Sequence, residues 1–238
     1  MGITYREDPD LAFLQFAEED DLRELAYILT HNEKGKPRLS GSLLSDPVFY
    51  NKGKPDQYRK CWQIIAGELQ HFGGDTLANK IRGKGVIYRE IIRNVCGKLG
   101  IKLNRDFEVW QAEMKLIRYI TEKLKKTMTD EEKAAFSGRL GSSSSDGNPK
   151  YFNFYKAEED FWTTFRFGSA AASSFFGFIA SIAMKRFLAG TLLGSFGLLL
   201  GITPPESVVT GPAYRVTTPS AIKIASMRQK YLAKEERF

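Results

Sequence analysis

Tyr58, Trp62, Ile65, Leu69 and Phe72 follow one another at spacings of 4, 3, 4 and 3. A helix advancing 100° per residue gathers all five on one stripe, whereas a strand would scatter them over both faces. The same period governs Leu22, Leu25, Ala26 and Leu29, and again Ile87, Ile91, Val95 and Leu99, while alternation of period two is nearly absent. The chain is therefore expected to be all-α.

Start and stop signals divide this pattern into helices. "DPDLAFLQFA" opens with Asp8 as a cap and Pro9 at the first helical position, and a second short helix is read over residues 18–30. The helix over 54–72 ends at Gly73-Gly74; Trp62, Ile65 and Leu69 are expected to be buried on it and His71 at least partly exposed. Asp75 can cap a short successor before Gly83 and Gly85 interrupt the chain, and the stripe from Ile87 to Leu99 marks the next helix. A long helix over 105–127 is capped by Asn104, and Thr129-x-x-Glu132 makes a capping box for one more. "SGRLGSSSSDGNP" (137–149) then offers small polar residues and no apolar anchor, the composition of a flexible linker. The expected organisation is a helical, partner-binding domain over 1–136, this linker, and a second domain over 150–238. A chain ending near Ser142 is expected to fold on its own.

The formal net charge of +7 is unevenly placed. Residues 1–35 carry 3 basic and 9 acidic side chains, whereas residues 79–127 carry 13 and 5. Such polarity suits an acidic partner surface, phosphates or anionic lipid. Cys61 and Cys96 lie 35 positions apart in apolar helical surroundings, which indicates neither a disulfide framework nor a thiolate metal cluster. The opening "MGITYREDPD" lacks the basic start and apolar stretch of a secretory signal, so a reducing cytoplasm is expected.

"GELQHFGGDTLANKIRGKG" (67–85) contains a Glu-x-x-His pair and a Gly-rich, Lys-bearing turn. Di-iron bundles use Glu-x-x-His on two helices. The other histidine, His31, has Ile28 three residues before it, so the second pair is missing. His71 also points roughly 140° away from the Trp62/Ile65/Leu69 stripe. A phosphate loop needs Gly five positions before Gly83 and Ser or Thr after Lys84, where this chain has Ala78 and Gly85. Neither a metal nor another cofactor is expected, and no nucleophile, base and orienting group can be assembled into a catalytic set.

"LTHNEKGKPRLS" (29–40), "WQIIAGELQHFGGDTLANKIRGKG" (62–85) and "GPAYRVTTPS" (211–220) resemble the signature blocks of the uncharacterised bacterial YaaW family. The resemblance covers both halves of the chain and thins between about residues 107 and 189. It implies a mostly helical protein whose first domain is similar to the ubiquinol-cytochrome c assembly chaperone group, with no catalytic residues to carry over. The polar residues of the first two blocks, His31, Glu68, His71, Asp75, Lys80, Arg82 and Lys84, are the candidates for partner binding. Gly211, Tyr214 and Arg215 are signature positions to which the residues themselves assign no role.

Residues 169–184 and 187–202 are two uncharged runs of 16 residues, separated by Lys185-Arg186. At 1.5 Å per residue each spans roughly 24 Å, slightly short of a ~30 Å hydrocarbon core. Ser169, Ser173, Gly177 and Ser181 recur every fourth residue, and Gly190/Gly194 and Gly197/Gly201 form GxxxG pairs, a spacing that lets helices approach closely. Phe175 and these glycines are the candidates for membrane contact or helix packing. The runs read equally as a membrane hairpin or as a buried hairpin. The aromatic approach around Trp162 suits an interfacial belt or a core. A final helix is expected to be capped by Thr218 and started by Pro219, with Lys223, Arg228, Lys230, Lys234 and Arg237 on its surface, where anionic headgroups would attract them.

Three functions follow. The preferred one is a non-enzymatic, membrane-associated helical protein of assembly-factor or chaperone type, at the cytoplasmic face of the bacterial inner membrane, binding a partner protein and self-associating through the hairpin. The second is an effector that permeabilises a bilayer through residues 169–202. The third, ranked last because its cations interleave with the apolar stripe, is a nucleic-acid-binding module built on residues 79–127.

Overall fold

The structure, a computed structural model, describes residues 4–32, 35–38, 43, 56–74, 85–139, 161–188 and 213–235. A 3-10 turn, Ala12–Phe16, leads into helices α1 (Glu19–Thr30), α2 (Gln57–Lys60), α3 (Trp62–Gly73), α4 (Tyr88–Lys98), α5 (Val109–Lys125), α6 (Asp130–Arg139), α7 (Ala170–Leu188) and α8 (Tyr214–Glu235). No strand forms among the described residues, as the helical period requires. Of the linker expected over 137–149, Ser137, Gly138 and Arg139 belong instead to the last turn of α6, and residues 140–149 lie outside the described residues.

The last helix in sequence occupies the middle of the bundle. α8 packs against α1, α3, α4, α5, α7 and the 3-10 turn. It is buried nearly all round: Val216, Ala221, Ile222, Ile224, Ala225 and Met227 fill the core, and Thr217, Thr218 and Ser220 are small enough to let neighbours close in. The expected start at Thr218-Pro219 is corrected. α8 begins at Tyr214, and Pro219 lies inside it. The Ala213 N–H, just before this start, donates to the Phe72 carbonyl at 3.1 Å, tying the head of α8 to the end of α3. The buried core runs without interruption from the first helices into α7 and α8.

α7 continues through Lys185-Arg186, so this charged pair does not divide two helices. Arg186 reaches sideways instead, donating to the Thr127 carbonyl at 2.9 Å and to Glu132 at 2.7 Å, and also to the Thr127 hydroxyl. The stems of such side chains lie along apolar surface while their heads find partners at the rim. Phe175 meets the rings of Phe161, Trp162 and Phe136 at 4.4, 5.4 and 5.3 Å between centroids, so Phe161 joins the core and Trp162 packs against it, while residues 151–160 of the aromatic approach lie outside the described residues. Among the described residues no helix is long and apolar enough to cross a membrane.

Several boundaries differ from the sequence expectation for local reasons. The helix expected over 54–72 breaks at Cys61, after Asp56 adopts a left-handed φ of 55°. Ile65 and Leu69 are buried as expected, but Trp62, at the first position after the break, is only half-buried and meets Tyr5 edge-on at 5.3 Å. Asp8 does not cap a helix after Pro9; the segment makes the 3-10 turn, and the Asp8 carboxylate turns inward. α5 starts four residues later than read, because Glu108 and Gln111 form the capping box that Asn104 does not. The Thr129/Glu132 box is present, with reciprocal bonds of 3.1 and 3.2 Å.

Candidate functional site

The α3 residues of the block around Glu68 and His71 lie where the N-terminal segment and the start of α4 meet α3. Glu68 is buried, while His71 is half-exposed near the end of α3. Between them, Gln70 holds the N-terminal segment: its amide donates to the Arg6 carbonyl at 2.8 Å and its carbonyl accepts the Arg6 N–H at 2.9 Å. The Gln70 backbone carbonyl takes the Val86 N–H at 3.1 Å. The glycines allow this crowding, since a Cβ on Gly73 would sit 2.4 Å from Ile91 and one on Gly85 would sit 2.7 Å from Gln70. Asp8 completes the knot by accepting the Tyr88 N–H at 2.6 Å and the Asp10 N–H at 3.0 Å. Tyr88 is the first residue of α4, so a carboxylate from 80 positions away satisfies one of its unpaired donors and meets its positive end. Among the described residues no group of three or more His, Cys, Asp or Glu side chains is arranged to hold a metal ion.

A second polar centre lies beneath α8. Arg228 donates through Nε to both oxygens of the fully buried Glu113 at 2.9 and 3.2 Å, and through Nη2 to the Asp10 carbonyl at 2.7 Å. Its guanidinium also lies 4.5 Å from the centre of the Phe13 ring. Burial raises the Glu113 carboxyl above its ordinary range, and the guanidinium of Arg228 opposes that shift. Burial likewise pushes the Tyr88 phenol well upward and the Cys96 thiol up to about 12. These groups are buried, and the bonds of Arg228 to Glu113 and to the Asp10 backbone tie three distant parts of the chain together.

The cations of α8 are not a free basic tail. Lys223 bonds Asp21 and Glu24 at 2.8 and 2.6 Å. Lys230 bonds Asp21 at 3.0 Å and also Glu18, which accepts Lys234 at 2.7 Å. The acidic charge of residues 1–35 is thus matched by the C-terminal helix rather than by the 79–127 segment. Hydrogen bonds from Lys230 and Lys234 hold the Glu18 carboxyl down at about 2. Several cations of the 79–127 segment are stacked on rings of this chain: Arg89 and Arg93 over Phe107, Lys98 over Tyr214 and Arg118 over Trp162.

Along this latch, α1, α7 and α8 enclose an open groove. Its polar part, about 400 Å³, is lined by Asp21 and Glu24 of α1, Ser173, Ser174, Gly177 and Ser181 of α7, Lys223, Ser226 and Lys230 of α8, and Arg139. An apolar part of about 280 Å³ adjoins it, lined by Tyr27, Met184 and Lys185 and sharing Glu24 and Ser181. The small residues spaced by four on α7 therefore have a function in the bundle. A Cβ on Gly177 would stand 3.9 Å from the Ser226 hydroxyl, so α7 and α8 approach closely there and leave a trough above them.

Of the other candidates from the sequence, Phe175 is core. His31 stacks on Tyr27, with ring centroids 4.1 Å apart, beside the apolar end of the groove. Tyr214 and Arg215 open α8, with Arg215 exposed. Asp75, Lys80, Arg82, Lys84, Gly190, Gly194, Gly197, Gly201 and Gly211 lie outside the described residues. Tyr27, Arg139, Ser174 and Ser226 were not singled out from the sequence, because they belong to four different helices and no local motif joins them.

Residues 5–39, which supply the acidic wall of the groove, match the family described as Domain of unknown function (DUF3944). Over nearly the whole chain, similar proteins include the UPF0174 protein YaaW of Escherichia coli (strain K12), 35% identical over 237 residues covering 96% of this chain and 97% of that one. A UPF0174 protein of Helicobacter pylori (strain J99) is 30% identical over 243 residues, covering 96% and 94%. No solved structure matches the chain significantly.

Proposed function

The chain belongs to the UPF0174 family, and we propose that it is a non-enzymatic helical binding protein of assembly-factor or chaperone type, associated with the inner membrane, which receives its partner in the groove between α1, α7 and α8. The observation that carries this reading is the groove itself: it is open, part polar and part apolar, and formed by the first and last helices of the chain together. Ligand sites are concave and combine apolar lining with a few polar groups that fix orientation. By contrast, the acid, phenol and thiol whose pKa values burial raises lie inside the scaffold, out of a substrate's reach.

The membrane contact is assigned to the second apolar run, residues 187–202, because the first is occupied elsewhere. For residues 169–184 to enter a bilayer, Phe175, Phe176, Ile179 and Ile182 would have to leave the core, at about 1.5–3 kcal/mol each. That cost weighs against the permeabilising effector. The test uses the full-length chain carrying a photo-crosslinking residue at exposed Ser174. Adducts in the membrane fraction, lost when Gly177→Met fills the trough, are expected. Leu193→Asp with Leu199→Asp should release the protein from the membranes. No adduct at Ser174, together with a wild-type chain that stays in the supernatant, overturns the proposal.

A further inference from the structure

We propose that the groove between α1, α7 and α8 binds one single-chain amphiphile with a monoanionic head, of which a fatty acid is the simplest case. This deepens the binding-protein reading and rests on it. The charges of the polar part do not cancel. Arg139, Lys223 and Lys230 line it against two carboxylates, Asp21 and Glu24. Lys223 is held by both of these carboxylates, and Lys230 by Asp21 and Glu18. Arg139 is different. Its guanidinium lies 4.4 Å from the centre of the Phe178 ring and donates at 3.0 Å to the Ala135 carbonyl of its own helix, and it pairs with no carboxylate among the described residues. A guanidinium with open donors recognises a carboxylate or phosphate through two parallel hydrogen bonds.

The surroundings narrow the head and the tail. The hydroxyls of Ser173, Ser174 and Ser226 line the same cavity and are not engaged by other described side chains, so they are available to an anionic head as donors. Asp21 and Glu24 on the opposite wall disfavour a second negative charge. The adjoining apolar part, against Tyr27 and Met184, is about 280 Å³. That space offers an aliphatic chain an apolar surface to lie along. Burial of a chain there stabilises the complex by about 0.8 kcal/mol per CH₂ covered. The commitment is therefore to a free amphiphile taken from water.

The test is calorimetric titration of the full-length chain with oleate below its micelle concentration, beside phosphatidylglycerol vesicles and a neutral long-chain alcohol. One oleate per chain is expected, with the alcohol bound at least tenfold more weakly. Arg139→Gln should weaken oleate about tenfold, and Gly177→Met, whose side chain enters the trough, should abolish binding. Thermal melts of both variants, expected to match wild type, show that the fold is kept. Absence of oleate binding, binding unchanged in both variants, or uptake from vesicles alone overturns the assignment. The crosslinking result separates the two levels. If Gly177→Met removes the Ser174 adducts while oleate never binds, the ligand class is wrong and the groove reading stands. If Gly177→Met changes neither, the groove reading falls with it.

Discussion

Arg228 and Glu113, 115 positions apart, form a buried two-point ion pair, and Arg228 carries the contact on to the backbone of Asp10. A lone charge left in that site has no water to turn to. Arg228→Met should therefore cost about 3–5 kcal/mol in urea unfolding, whereas pairing it with Glu113→Leu should recover most of the loss. A double variant no more stable than the single one would show that the pair is not the source of the cost.

Asp8 caps α4 from outside the helix, so its removal strands donors in two elements at once. Asp8→Ala should destabilise by about 1–3 kcal/mol, the cost of leaving buried N–H groups unpaired. Asp8→Asn keeps an acceptor and should cost less. Equal losses for both would mean that charge rather than hydrogen bonding is at stake.

Two helical glycines should respond in opposite directions to the same methyl group. At Gly73 it would stand 2.4 Å from Ile91 and 2.9 Å from Val86, in the packed junction of α3 and α4. Gly73→Ala should cost about 1–3 kcal/mol. At Gly97, inside α4, an added Cβ meets nothing within 4 Å, and Gly97→Ala should gain about 0.5–1 kcal/mol through helix propensity alone. Melting temperatures of the two variants, falling on either side of wild type, check this.

The latch between α1 and α8 should be pH-dependent with a defined sign. The Glu18 carboxyl is held at about 2, below its usual 4.5. Its contribution is therefore present above pH 4.5 and lost as the pH falls toward 2. Lys230 is shifted upward despite its burial, by hydrogen bonds to Glu18 and Asp21, so its contribution is present below its usual 10.5 and lost as the pH rises beyond that. The stability difference between wild type and Glu18→Gln should shrink between pH 5 and pH 2.5, and should be smaller in 1 M salt, because these pairs are partly exposed. A difference independent of pH and salt would assign the effect to packing.

A chain ending near Ser142 tests how far the two halves depend on each other. It would lack α8, against which α1, α3, α4 and α5 all pack. The expected outcome is loss of cooperative melting, in place of the independent folding that the Ser-rich stretch suggests. A sharp two-state melt for the shortened chain would restore a self-sufficient first domain.

The extent of the helices was largely legible because helix periodicity is a local property. The stripes of α1 and α4 and the Thr129/Glu132 box lie within a few turns of sequence and appear as read. What could not be read was the identity of each helix's neighbours. The lysines of α8 look like a solvated face until α1 brings three carboxylates against them from about 200 positions away. The serines of α7 look like a membrane packing code until Ser226 and Arg139 turn the same stripe into one wall of a groove. Sequence alone thus determined the helical class and most of the helix bodies. Only the tertiary structure decided which charges are paired, which apolar run is core and where a ligand could sit, because each of those depends on surfaces contributed by segments that the chain keeps far apart until it folds.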